Sequence, residues 1–74
     1  MRAKIISISK DDAYYEDRKE LVGKTGEFFK DNDTGHGFYS GDFKSDEPIM
    51  ITTPHGEPIV KNEIYFYKVK VKEI

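Results

Sequence analysis

The chain contains no cysteine and no tryptophan, only two histidines and three prolines among its 74 residues, and no long apolar run. Without cysteine there is neither a disulfide nor a thiolate metal site to brace it, and nothing points to an oxidising compartment. The N-terminal stretch Met1-Arg2-Ala3-Lys4-Ile5-Ile6-Ser7 has too short an apolar segment for a signal peptide. No segment approaches the ~20 residues of a membrane span. A cytoplasmic setting with no membrane association is the expectation. A strong net charge is also missing: 12 basic against 14 acidic residues give −2, so no global field draws in a polyanion. At this length the chain holds one domain, residues 1–74, whose core rarely supplies more than about 3–5 kcal/mol.

What is present is a strand pattern set in a highly charged chain, with 35% charged residues, five Phe and five Tyr. The organising stretch is Leu21-Val22-Gly23-Lys24-Thr25-Gly26-Glu27-Phe28-Phe29. Two glycines at that spacing can reverse the chain through φ > 0 and re-aim it as a strand. Before this turn, Arg2–Ser9 reads as a strand, with Ile6 and Ile8 on one face and Ala3, Ile5 and Ser7 on the other. Lys10–Glu20 reads as a long acidic loop with at most one helical turn, near Arg18–Leu21. After the turn come strands at Thr25–Lys30, Phe38–Phe43 and Ile49–Thr53, separated by turn formers at Asp31–Gly37, Lys44–Pro48 and Pro54–Pro58. Gly41 inside a strand marks a bulge or a close backbone approach. Ile59-Val60 adds a short extension with a kink at Lys61-Asn62.

The last strand, Ile64–Glu73, alternates most clearly. Its pattern predicts Tyr65, Tyr67, Val69 and Val71 on one face, with Phe66, Lys68, Lys70 and Lys72 on the other. A strand of that length needs a long partner, and Arg2–Ser9 is the candidate. Pairing the two ends closes the sheet and removes exposed edges. The expected fold is mainly β: a small five- to six-stranded antiparallel barrel or roll with at most one short helical turn.

The Gly23-Lys24-Thr25-Gly26-Glu27-Phe28 turn resembles the glycine-containing strand entry of KOW-type domains in ribosomal and transcription-elongation proteins. The resemblance covers Leu21–Phe29. It implies an SH3-like barrel and, with it, nucleic-acid or ribosome binding. Ala13-Tyr14-Tyr15 with its acidic loop resembles the aromatic first loop of signalling SH3 domains. Those domains clamp Pro-rich peptides with a Trp, which this chain lacks, so that ligand is not expected.

No catalytic constellation is visible. Ser7, Ser9, Ser40 and Thr53 have no adjacent base, no Gly-x-Ser-x-Gly elbow occurs, and no phosphate-cradling glycine loop is found. The chain is expected not to be an enzyme and to carry no cofactor. Asp31-Asn32-Asp33-Thr34-Gly35-His36-Gly37-Phe38-Tyr39-Ser40-Gly41-Asp42 partly follows a calcium loop, with carboxylates at its first, third and twelfth places. It departs at His36, where the turn needs glycine, and at Asp42, where a bidentate Glu belongs; a hairpin loop explains the same residues. His36 and His55 are isolated, so no metal site is expected.

Two surfaces remain. Ten aromatics cannot all enter so small a core: one of Phe28/Phe29 and one of Phe38/Tyr39 must face outward, and amphipathic aromatics on a surface favour recognition. The leading expectation is a non-catalytic module binding a protein partner through Tyr14, Tyr15, Asp17 and Tyr39, framed by the acidic loop. The alternative is a nucleic-acid surface on Phe66, Lys68, Lys70 and Lys72. There the lysines stand about 6.6 Å apart along the strand and Phe66 stacks a base. A lysine face that discourages edge aggregation is the plain counterpart of that alternative. A third expectation is a homodimeric accessory protein, so the chain is read as a monomer or a weak homodimer.

Overall fold

The computed structural model describes residues 1–52 and 55–74. Thr53 and Pro54, the end of one expected strand and the start of the following turn, lie outside the described residues. The elements are β1 (Arg2–Ile8), α1 (Tyr15–Arg18), a 3₁₀ turn (Lys19–Leu21), β2 (Thr25–Gly35), β3 (Phe38–Thr52) and β4 (Pro58–Glu73). The strands follow one another around a closed antiparallel ring, β1-β2-β3-β4 and back to β1. The two ends of the chain pair as expected: Ile8 lies opposite Val69, Ile5 opposite Val71 and Ala3 opposite Glu73. Among the described residues no helix is long and apolar enough to cross a membrane.

The strand count differs from the expectation. Among the described residues there are four strands, not five or six, because two expected breaks are bends within continuous strands. Between the pairs Lys44↔Glu63 and Ile49↔Lys61, β3 uses five steps where β4 uses two. The turn formers Ser45–Pro48 are taken up in that irregularity, where Ser45 Oγ accepts the Glu47 N–H at 3.3 Å. Lys61-Asn62 passes inside β4 in the same way. The expected hairpin loop at Asp31–Gly37 is likewise shorter: β2 runs on to Gly35, and the reversal is made around His36 at φ 56°. The loop between β1 and β2 holds more helix than expected, one α turn and then one 3₁₀ turn. Leu21 is buried and Tyr15 is half-buried against the core, so packing holds the two turns at both ends.

The core is Ala3, Ile5, Ile8, Leu21, Phe28, Phe43, Ile49, Ile64, Phe66 and Val69. Two strict alternations expected from the sequence fail here, each at an extra residue. In β1 the register shifts between Ile5 and Ser7, so Ala3, Ile5 and Ile8 point inward while Ile6 is 41% exposed. In β4 three steps from Phe66 to Val69 face two from Gly41 to Tyr39. Ile64, Phe66 and Val69 therefore form the inner row, and Tyr67 turns outward. An inserted residue flips every later side chain to the other face.

Of the two glycines in the organising turn, only Gly23 takes positive φ, at 96°. Gly26 serves a different need: a Cβ there stands 2.1 Å from the Lys44 carbonyl oxygen across the sheet. Gly41 is its counterpart, 2.3 Å from the Phe29 carbonyl, which is the close approach expected of it. Phe28 is buried and Phe29 is 54% exposed, as adjacent strand residues require.

Candidate protein-binding surface

Asp12 builds this surface from beneath. Its carboxylate is buried within the loop that follows β1, and three backbone donors point at it. Oδ1 accepts the Tyr14 N–H at 2.9 Å, and Oδ2 accepts the N–H groups of Tyr67 and Lys68, both at 2.9 Å. The two donors on Oδ2 are the amides at the β4 bulge, turned off the ladder by the extra residue. One side chain thus satisfies the bulge and ties the loop to it.

That tie brings three tyrosines together. The Tyr14 ring stacks on Tyr67 at 5.7 Å between centroids and 28° between planes. Tyr67 meets Tyr65 edge to face at 5.2 Å. Both are arrangements favoured by aromatic quadrupoles. Arg18, at the end of α1, lies beneath: its guanidinium is 4.4 Å from the Tyr14 centroid and 5.8 Å from that of Phe66. Arg18 Nη1 donates to the Tyr65 carbonyl, and Nε is buried with no hydrogen-bond partner among the described residues. Burial lowers the Arg18 pKa from its ordinary value, against the pull of Asp12 and Tyr14 in the opposite direction. A guanidinium stays charged through such a shift.

The tyrosines keep contact with water. Tyr14 is 42% and Tyr67 46% exposed, while Tyr65 is half-buried and donates its hydroxyl to Asp31 Oδ2 at 2.9 Å. Carboxylates ring the patch: Asp17 on α1, Asp31 on β2, and Asp42 directly opposite Tyr65 on β3. Asp31 and Asp33, read from the sequence as calcium-loop positions, are engaged otherwise. Asp31 holds Tyr65, and Asp33 Oδ1 accepts the Gly35 N–H at 2.8 Å. Among the described residues no three His, Cys, Asp or Glu side chains gather as a metal site would need.

The expected residues fall into different places. Tyr14 and Asp17 lie at this patch. Tyr15 is half-buried and packs against the core, so it supports the surface from below. Tyr39 is not part of the stack; it lines a shallow depression of about 700 Å³ with Met1, Phe29 and Val71, and the Lys30 ammonium sits 4.8 Å from its ring. The alternative nucleic-acid set loses its aromatic member, since Phe66 is fully buried and has no face to offer a base. Lys68 lies 3.9 Å from Asp11, Lys70 sits over the Phe38 ring at 5.3 Å, and Lys72 is exposed. Tyr65, Tyr67 and Arg18 were missed by pattern alone. A signal was present in Ile64-Tyr65-Phe66-Tyr67: the purely apolar pair and the hydroxyl-bearing pair alternate, and the hydroxyl-bearing pair belongs toward water.

Comparison with protein-family models, with curated proteins and with solved structures finds no match to this chain.

Proposed function

We propose that this protein is a non-catalytic binding module that engages a protein partner over Tyr14, Tyr65 and Tyr67, framed by Asp17, Asp31 and Asp42. The observation that carries the reading is the packed tyrosine stack, partly exposed yet held from beneath by Asp12 and Arg18. Rigid amphipathic rings give large contact area at low entropic cost, which is why such residues dominate recognition surfaces. The finer fold reading, an SH3-like barrel with a KOW-type turn at Gly23–Phe28, is part of this proposal. Its support is the small closed ring, in which bent β3 and β4 each do the work of two short strands. The lack of cysteine favours a cytoplasmic setting.

The test is selection of binders from a random peptide library, followed by titration against point variants. Tyr14→Ala and Tyr67→Ala are expected to weaken the selected peptides by at least about tenfold, or about 1.4 kcal/mol. Binders indifferent to both substitutions would assign recognition to another face.

A second reading rests on one observation. Lys4 on β1 stands directly opposite Lys72 on β4, next in line to Lys70 opposite Ser7. Like charges facing each other across strands are destabilising, so a polyanion laid along that face would relieve a cost built into the sheet. Retention on an oligonucleotide that falls steeply with salt, and is lost in a Lys4/Lys72→Ala double variant, would favour this reading over the first.

A further inference from the structure

The two ends of the ring differ. α1 and the 3₁₀ turn join the end of β1 to the start of β2, and Leu21, buried there, covers the core at that end. At the opposite end β1 begins and β4 finishes, and no helix lies there among the described residues. A depression of about 700 Å³ opens at this uncovered end. Strand alternation explains its lining. Lys30 follows buried Phe28 by two residues on β2, and Glu73 follows Val71 by two on β4, with no register shift in either step. Both charged side chains therefore start from the inward face of the ring.

The floor is apolar. Phe28 closes it at 2% exposure, while Tyr39 and Val71 pack against the core and stay partly open to water. Met1 stands at the rim, its ammonium already engaged by the Phe28 carbonyl at 3.0 Å and by Glu27 at 3.4 Å. The two remaining charges of the lining are opposite in sign and do not meet. Lys30 holds its ammonium 4.8 Å from the Tyr39 ring centroid, and neither it nor Glu73 has an ion-pair partner among the described residues. They stand on β2 and β4, strands that are not neighbours in the ring. Two strand spacings set their backbones on the order of 10 Å apart.

We propose that this open end of the ring is a binding site for a short apolar peptide with free termini, its carboxylate on Lys30 and its ammonium toward Glu73. The volume is in the range of small-ligand sites, which recur in the mouths of closed sheets. The charge pattern selects the class: a cation and an anion facing each other across apolar floor complement a zwitterion whose charges are separated by an apolar body. A single amino acid is too short to span them, whereas three extended residues reach roughly 10 Å. Apolar side chains then lie on Phe28, Tyr39 and Val71. Both charges are exposed and the site is open, so affinity is low, with a Kd on the order of 1 mM. The site shares no residue with the tyrosine stack, and the two proposals fail independently.

The experiment is an amide NMR titration with the tripeptide valyl-leucyl-valine, up to about 10 mM, a range that brackets such a Kd. Saturable shifts are expected at Phe28, Phe29, Lys30, Tyr39, Val71 and Glu73. Amidating the peptide's carboxylate or acetylating its amine is expected to weaken binding at least about threefold each. Triglycine, which has the same charges and no apolar side chains, is expected to bind at least about tenfold more weakly. Lys30→Gln is expected to weaken the free peptide about as much as amidation does, and amidation then costs nothing further; Glu73→Gln stands in the same relation to acetylation. Both sites are exposed, so the fold persists, and the same spectra verify it. Tyr67→Ala is expected to bind as the parent does. Absence of saturable shifts at these amides overturns the proposal. So do blocked peptides or triglycine that bind as tightly as valyl-leucyl-valine.

Discussion

Three backbone N–H groups converge on one buried carboxylate, Asp12. Its replacement by Ala leaves two amides of the β4 bulge without an acceptor, and an unmade buried hydrogen bond costs more than a made one contributes. Asp12→Ala is expected to cost roughly 3 kcal/mol, read as a lower urea midpoint. It also frees the loop, so the upfield ring-current shifts of Tyr14 and Tyr67 protons are expected to collapse. The exposed ion pair Arg2–Asp46 behaves differently. The bond to Arg2, helped by Thr25, lowers the Asp46 pKa from 3.8 to about 2. A carboxyl lowered on folding contributes stability above its unfolded pKa and loses it as pH falls through the folded value. Asp46→Asn is therefore expected to be less stable than the parent at neutral pH, with the difference vanishing as pH falls toward about 2. A variant whose deficit persists unchanged in acid would contradict that assignment.

At the scale of the element, each strand is defined by where its period breaks. In β4 the break between Phe66 and Val69 decides which aromatic is core and which is surface. Phe66→Ala removes a fully buried ring and is expected to cost about 3–5 kcal/mol, enough to unfold so small a domain. Phe29→Ala, at a 54% exposed site, is expected to stay within about 0.5 kcal/mol of the parent. Gly41 tests the β2–β3 pairing in the same way: a Cβ 2.3 Å from the Phe29 carbonyl meets backbone that cannot step aside. Gly41→Ala is expected to lower stability by roughly 2 kcal/mol, more than strand propensity would suggest, because the clash separates two strands. Thermal melts of the three variants rank them.

Over the whole molecule, closure of the ring divides residues into two stability classes. The seam between β1 and β4 ties the chain ends together, and its amides at Ile8, Val69 and Lys70 are expected to exchange only through global unfolding. Among the described residues no third strand pairs with the two-stranded ribbon of Ile49–Thr52 and Pro58–Lys61, and its amides are expected to exchange through local opening, faster by at least about tenfold. Equal protection of seam and ribbon would mean that the ribbon is covered or that the ring opens as easily as its tip. Charge is sorted on the same scale. Asp17, Asp31 and Asp42 lie by the tyrosine stack with the Arg18 guanidinium beneath it, while Lys4, Lys70 and Lys72 share the β1–β4 strand pair with Glu73.

Pairing of the two ends, a mainly β chain of one small domain, a tight reversal at Gly23 and a close approach at Gly41 were all legible in the residues. Each follows from a local cause: β-branched and aromatic runs, glycine where nothing else fits, and two long strands that need each other. The faces were not legible beyond the first bulge. An extra residue at Ile6 or near Tyr67 leaves the composition and most of the alternation intact, yet reverses which side chains meet water. Nor could sequence spacing bring Asp12 to the amides of Tyr67 and Lys68, 55 and 56 positions away. Only closure of the ring makes those atoms neighbours. The tyrosine surface exists because a buried carboxylate satisfies a bulge that the chain, taken residue by residue, gives no reason to expect.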